Sequence, residues 1–145
     1  MKTIFCKLSE FETEKLLLDV STEFYPKLSD VVDLKEYAEK LSNHADFLIC
    51  KNDTDLISGF IAYYTNTSTS IVYIPLICVK KPYRGQGLSK AMLSDLFKSV
   101  SSDFKFCDLE VDKINNIAYN MYSEFGFKVH EDRISKYLMR YTFAN

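Results

Sequence analysis

Residues 71–100 read IVYIPLICV (71–79), KKPYRGQG (80–87) and LSKAMLSDLFKSV (88–100), and the hydrophobic period changes across them. The first nine are apolar without a break, which predicts a strand buried on both faces at the centre of a sheet. Pro75 stands in its middle. Proline has no N–H to give to a ladder, so the strand is expected to be bulged and partly unpaired there. A bulge in a central strand is a place where a ligand can enter. The last thirteen residues return to a helical period, with Leu88, Ala91, Met92, Phe97 and Val100 along one side and Lys90, Asp95 and Lys98 elsewhere.

Between strand and helix lie Gly85 and Gly87, two of only four glycines in the chain. Glycine costs backbone entropy and is expected where φ must be positive or the backbone must approach something closely. A turn of this kind opening a helix offers unpaired N–H groups and the positive end of the helix dipole, which suits a phosphate. A tight turn with no ligand would use the same residues. Two nucleotide motifs fail on inspection. A dinucleotide fingerprint needs a third glycine where Lys90 stands, and a Walker loop needs lysine where Leu88 follows Gly87.

Working outward, Thr3–Lys7 reads as a strand. Helical stretches follow at Glu12–Phe24 and Asp33–Leu41, broken near Tyr25-Pro26, with Leu34, Tyr37, Ala38 and Leu41 at helical spacing. Asp33 with Glu36 three positions on has the pattern of a capping box. Phe47–Cys50 and Leu56–Tyr64 are strands joined through Asn52, Asp53 and Asp55, and Thr65–Ser70 is a hairpin connection to the central strand. Phe104–Val111 is a further strand, Asn116–Phe125 a helix ended by Gly126, and Lys128–Phe143 two closing strands. The order β-αα-βββ-α-β-α-ββ predicts a mixed α/β sheet covered by helices.

A chain of 145 residues is the size of one domain and long enough to form a core without a disulfide or metal staple. Lys+Arg 18 against Asp+Glu 20 gives a net charge of −2, which argues against nucleic acid as a partner. No apolar run reaches the length of a membrane span and no signal-peptide core is present, so the expected location is the cytoplasm. Cys6, Cys50, Cys78 and Cys107 lie far apart in apolar stretches and read as buried thiols. With only His44 and His130 beside them, no metal site is expected.

The combination of Ile77-Cys78-Val79, Arg84-Gly85-Gln86-Gly87-Leu88-Ser89, then Asn115, Ala118, Tyr122 and Gly126-Phe127 resembles the GCN5-related N-acetyltransferase (GNAT) family. The likeness covers nearly the whole chain and is most specific from Ile71 to Phe127. It implies one GNAT domain over 1–145, with a mostly antiparallel sheet of about seven strands and four helices. It also implies acetyl-CoA as co-substrate, without a metal. The pantetheine arm would run beside Ile77, Cys78 and Val79, and the pyrophosphate would sit on the amides of Arg84, Gly85, Gln86, Gly87, Leu88 and Ser89. Ser89 departs from the usual glycine or alanine but is small and adds a donor. Asn115 matches a pantetheine contact. Tyr122 matches the tyrosine that protonates the departing thiolate, with direct attack by the amine and no covalent role for Cys78.

Glu110 precedes Tyr122 by twelve positions (122 − 110), which resembles the base-to-acid arrangement of the branch acetylating the N-terminal amine of a ribosomal protein. Many family members place a carboxylate on the fourth strand instead, and residues 70–79 hold none. Glu110 is therefore the candidate general base, with an outward-facing strand glutamate as the plain alternative. Asp108 is a weaker candidate on the same face. The implied acceptor is a primary amine, either of a small molecule such as an amino sugar or at a peptide N-terminus. Its surroundings would come from residues 24–45, 65–70 and 131–135. Two other readings keep the fold: an idle acyl-CoA-binding module, or transfer of a longer acyl group with room near Cys78 and Ile114. Tyr137, Tyr141 and Phe143 offer an aromatic surface for a homodimer.

Overall fold

A computed structural model describes residues 2–144 of the chain. Its elements run β1 (Lys2–Cys6), α1 (Glu10–Val20), α2 (Leu28–Val31), α3 (Leu34–His44), β2 (Asp46–Lys51), β3 (Ile57–Asn66), β4 (Ile71–Val79), α4 (Leu88–Val100), β5 (Phe106–Asp112), α5 (Asn116–Phe125), β6 (Lys128–Asp132) and β7 (Lys136–Thr142). Short 3-10 turns lie at Ser21–Glu23 and Lys81–Tyr83. The strands hydrogen-bond in the order β1-β2-β3-β4-β5-β7-β6. The β4–β5 pair is parallel, while β1–β2, β2–β3, β5–β7 and β6–β7 are antiparallel. Among the described residues there are five helices where four were expected. The extra one, α2, has four residues, too few to show a period.

β4 occupies the centre of that order, but it is not buried on both faces. Exposure alternates along it, with Val72, Ile74, Leu76 and Cys78 buried and the residues between them half-buried. The strand does not break at Pro75. Its pairing with β5 runs from Ile71 opposite Phe106 to Ile74 opposite Leu109, and ends one residue before the proline. Both strands continue beyond that point, β4 to Val79 and β5 to Asp112.

The chain forms two compact units, the first made of residues up to Tyr63 with Leu76–Ser94, the second of Tyr64–Pro75 with residues from Asp95 onward. In the first, α1 packs on α3, burying Leu16, Leu17, Val20, Ala38 and Leu41. The capping box sits at the start of α1. The Glu12 N–H donates to Ser9 Oγ at 3.1 Å and the Ser9 N–H to Glu12 Oε1 at 3.0 Å. At Asp33 only half of the expected box forms, the Glu36 N–H donating to Asp33 Oδ1 at 3.0 Å. Gly59 on β3 leaves no room for a side chain, since a Cβ there would lie 2.7 Å from the Cys78 carbonyl oxygen.

In the second unit the core is aromatic. Phe97 on α4 has Tyr141 at 4.6 Å, Phe143 at 4.8 Å and Phe125 at 5.3 Å between ring centroids. Tyr141 and Phe143, expected as part of a homodimer surface, both pack on Phe97 within their own chain, with Phe143 buried and Tyr141 half-buried. Gly126 ends α5 at φ 126°, a backbone that favours glycine. No helix among the described residues is long and apolar enough to cross a membrane.

Candidate functional site

The first unit carries the glycine loop. Gly85 and Gly87 have φ of +78° and +74°, in the left-handed region, and a Cβ at either would meet nothing within 4 Å. The glycines are therefore there for conformation, and the loop's N–H groups are aimed by backbone geometry. The α4 ladder begins at once, with the Ala91 N–H donating to the Gly87 carbonyl at 3.0 Å. The N–H groups that open a thirteen-residue helix have no intrahelical acceptor, so a diphosphate can fill that role.

Arg84, just before the loop, does not extend into solvent as a free cation. Its Nε donates to the Val79 carbonyl at 2.9 Å and its Nη2 to Glu23 Oε1 at 2.8 Å. Lys80 pairs with Asp19. Lys80 and Arg84 are thus each paired with a carboxylate from α1 or the turn after it. Neither acidic partner was singled out in the sequence, because both lie far from residues 80–84 along the chain. Cys78 is 5% exposed and burial pushes its thiol up to about 12. A thiol held neutral at pH 7 is a poor nucleophile, which agrees with direct transfer.

The second unit carries the other candidates. Tyr122 on α5 is 6% exposed, and burial raises its phenol above the ordinary range. Asn115 caps the same helix, its Oδ1 accepting from the Ala118 N–H at 3.1 Å, which leaves its amide NH2 for other contacts. Glu110 and Asp108 share a face of β5, but they differ. Asp108 is 4% exposed and forked by Arg140, with Nε at 2.8 Å and Nη2 at 2.9 Å. Glu110 accepts from Arg133 Nη1 at 2.8 Å and from the Tyr73 hydroxyl at 3.4 Å. Arg133 also donates to Glu131, Nε to Oε1 at 3.0 Å. Glu110 is therefore not a free carboxylate. The two arginines were missed in the sequence, since the β5–β7 register brings Arg140 opposite Asp108 and the β6–β7 connection brings Arg133 to Glu110.

Five buried or half-buried thiols and phenols share a direction of shift. Desolvation pushes Tyr63, Tyr73 and Cys78 up to about 12, and moves Cys107 and Tyr122 upward as well. A raised folded-state pKa gives stability that is whole below the unfolded value and lost as pH climbs through the folded one. Urea midpoints should hold level from pH 7 to about 8.5, where an unfolded thiol ionises, and then fall steadily toward pH 11. A midpoint that stays level to pH 11 would contradict the burial of these groups.

The family model described as Acetyltransferase (GNAT) domain matches residues 8–142. A search of curated proteins returns no match. Among solved structures, PaiA N-acetyltransferase from Thermoplasma acidophilum, crystallised with coenzyme A, has a TM-score of 0.76 at 21% identity over 99% of this chain and 100% of its own. The protein smu.2055 from Streptococcus mutans has a TM-score of 0.80 at 18% identity over 99% and 100%. The ribosomal-protein-S18-alanine N-acetyltransferase of Escherichia coli has a TM-score of 0.77 at 15% identity over 99% and 96%. At these identities the structures show a shared fold.

Proposed function

This chain belongs to the GNAT acetyltransferase family, and on that premise we propose that it moves the acetyl group of acetyl-CoA directly onto a primary amine. The observation that carries the reading is the pair of left-handed glycines leading into the N-terminus of α4. In the proposed reaction, 1–145 acts as one catalytic domain. The loop from Arg84 to Ser89 holds the pyrophosphate, and Ile77, Cys78, Val79 and Asn115 hold the pantetheine arm. The neutral amine nitrogen bonds to the thioester carbonyl carbon, and the C–S bond then breaks. The electron pair leaves on sulfur, where the Tyr122 phenol protonates it. The proton lost by the amine passes to Glu110, directly or through water. Holding amine and thioester in register supplies much of the acceleration.

The acceptor class follows from what the base must do. A lysine-type ammonium costs about 4.6 kcal/mol to deprotonate at pH 7, an α-amine only about 1.1 kcal/mol. The one candidate carboxylate is already engaged by a guanidinium, so the chemistry suits an amine that needs little help to lose its proton, on a small molecule or at a peptide N-terminus. The same ion pairs also favour a second reading. With Glu110 on Arg133 and Asp108 on Arg140, the protein could bind acyl-CoA without transferring it.

Calorimetry with coenzyme A, followed by a coenzyme A-release screen over amino acids, amino sugars, polyamines and peptides, separates the readings. Binding with amine-dependent release supports transfer. Binding with no release from any amine supports the idle module, and no heat of binding removes both.

A further inference from the structure

We propose that Glu23 is the positioning residue of the cofactor loop: its carboxylate clamps the segment 79–84 through Arg84 and so fixes where the amides of Gly85 to Ser89 point. The inference rests on the acetyl-CoA reading of that loop. Glu23 ends the 3-10 turn that follows α1, and its side chain is 19% exposed. One oxygen, Oε1, accepts both the Lys81 N–H at 3.1 Å and Arg84 Nη2 at 2.8 Å. The Glu23 carbonyl accepts the same Nη2 at 3.2 Å. Arg84 Nε closes the arrangement on the Val79 carbonyl at 2.9 Å. Three points between the end of β4 and the first glycine are thus tied together, and two of them are tied through Glu23.

The loop needs such an anchor. Gly85 and Gly87 have no side chains to pack and maximal backbone freedom, so no packing inside the loop holds the left-handed geometry that aims its N–H groups. On the far side the first turn of α4 fixes them, through Ala91 on Gly87. On the near side the fixed point is Arg84, held by Glu23 together with the Val79 and Lys81 carbonyls. One turn earlier, Asp19 holds Lys80 in the same sense.

Charge sharpens the argument. A carboxylate beside an anionic cofactor repels it, unless a cation neutralises the carboxylate. Glu23 and Arg84 are therefore useful as a pair, and removing the two partners should have unequal consequences. Arg84→Ala loses the clamp and leaves a bare carboxylate facing the diphosphate. Glu23→Ala loses the clamp but frees a guanidinium that attracts the diphosphate. Glu23→Gln keeps the acceptor oxygen and drops only the charge.

The test is the Kd for coenzyme A by calorimetry on the full chain, with amide hydrogen exchange of residues 84–89 in the free protein. Expected are a loss of about 10-fold for Glu23→Ala, a larger loss of about 50-fold for Arg84→Ala, and a double variant that binds better than Arg84→Ala alone. Glu23→Gln should stay within about 3-fold of the parent. Exchange at 84–89 should quicken in Glu23→Ala and not in Glu23→Gln. Glu23→Ala with unchanged affinity and unchanged exchange overturns the clamp, as does a double variant weaker than Arg84→Ala. A parent that fails to bind coenzyme A overturns the cofactor reading instead, and the exchange measurement still decides the clamp.

Discussion

Tyr122→Phe should lower kcat about 100-fold while leaving the Kd for coenzyme A within about 2-fold, since a positioned general acid is worth at least that much. The substitution removes one oxygen and keeps the buried ring, which meets Phe127 edge-on at 5.6 Å between centroids. The urea midpoint should therefore move little, and lost turnover cannot be put down to lost fold. The pH profile supplies a second readout. Burial raises the phenol above the ordinary tyrosine range, so it stays protonated through pH 6 to 9 and is ready to donate throughout. The variant's profile should keep the parent's shape over that range at a lower level. An unchanged kcat assigns the proton on sulfur to solvent and removes Tyr122 as the acid. A changed shape shows instead that the phenol titrates in the working range, against the effect of its burial.

The fold was legible where a period had room to repeat. α5 and β4 run over Asn116–Phe125 and Ile71–Val79 as read, because a glycine or a turn bounds each. α2 was not legible, four residues after Pro26 being shorter than any window in which a helical period shows. Ser9 with Glu12 and Asp33 with Glu36 present the same spacing of acceptor and glutamate. Only at Ser9 does the glutamate side chain turn back, a choice of rotamer that sequence does not record. At β4, an unbroken apolar run concealed an alternation that depends on what covers each face of the strand.

The candidate site divides along a similar line. Gly85 to Ser89 could be read directly, because a left-handed backbone beside a helix start is a local property. Glu110 and Asp108 could be placed on one face of β5 by alternation alone. Their partners could not. Arg140 lies opposite Asp108 in the ladder, and Arg133 is brought to Glu110 by the bend between β6 and β7, so both depend on register. The Glu23 clamp is longer still in sequence, at 61 residues from Arg84. Local geometry supplied the loop, and tertiary pairing supplied everything that holds the charged groups still.

Those pairings decide which carboxylate on β5 chemistry can reach. Arg140→Ala should lower stability by about 3 kcal/mol, since it strands a charge in the core. Asp108 is 4% exposed, and both its oxygens are taken by Arg140, whose guanidinium also lies 4.4 Å from the Phe106 ring centroid. Replacing both members, as Asp108→Val with Arg140→Met, should recover most of the loss, because a filled apolar pair has no unmet charge. Arg133→Ala should behave differently. Its pair with Glu110 has side chains 40% and 28% exposed, and solvent screening leaves such a bridge worth far less than the buried one. Urea midpoints of the three variants measure the contrast directly. If Arg133→Ala proves as damaging as Arg140→Ala, Glu110 is a structural anion like Asp108, and the amine proton must leave by water alone. If the contrast holds, the guanidinium on Glu110 is cheap to displace, and an incoming amine can take its place at the carboxylate.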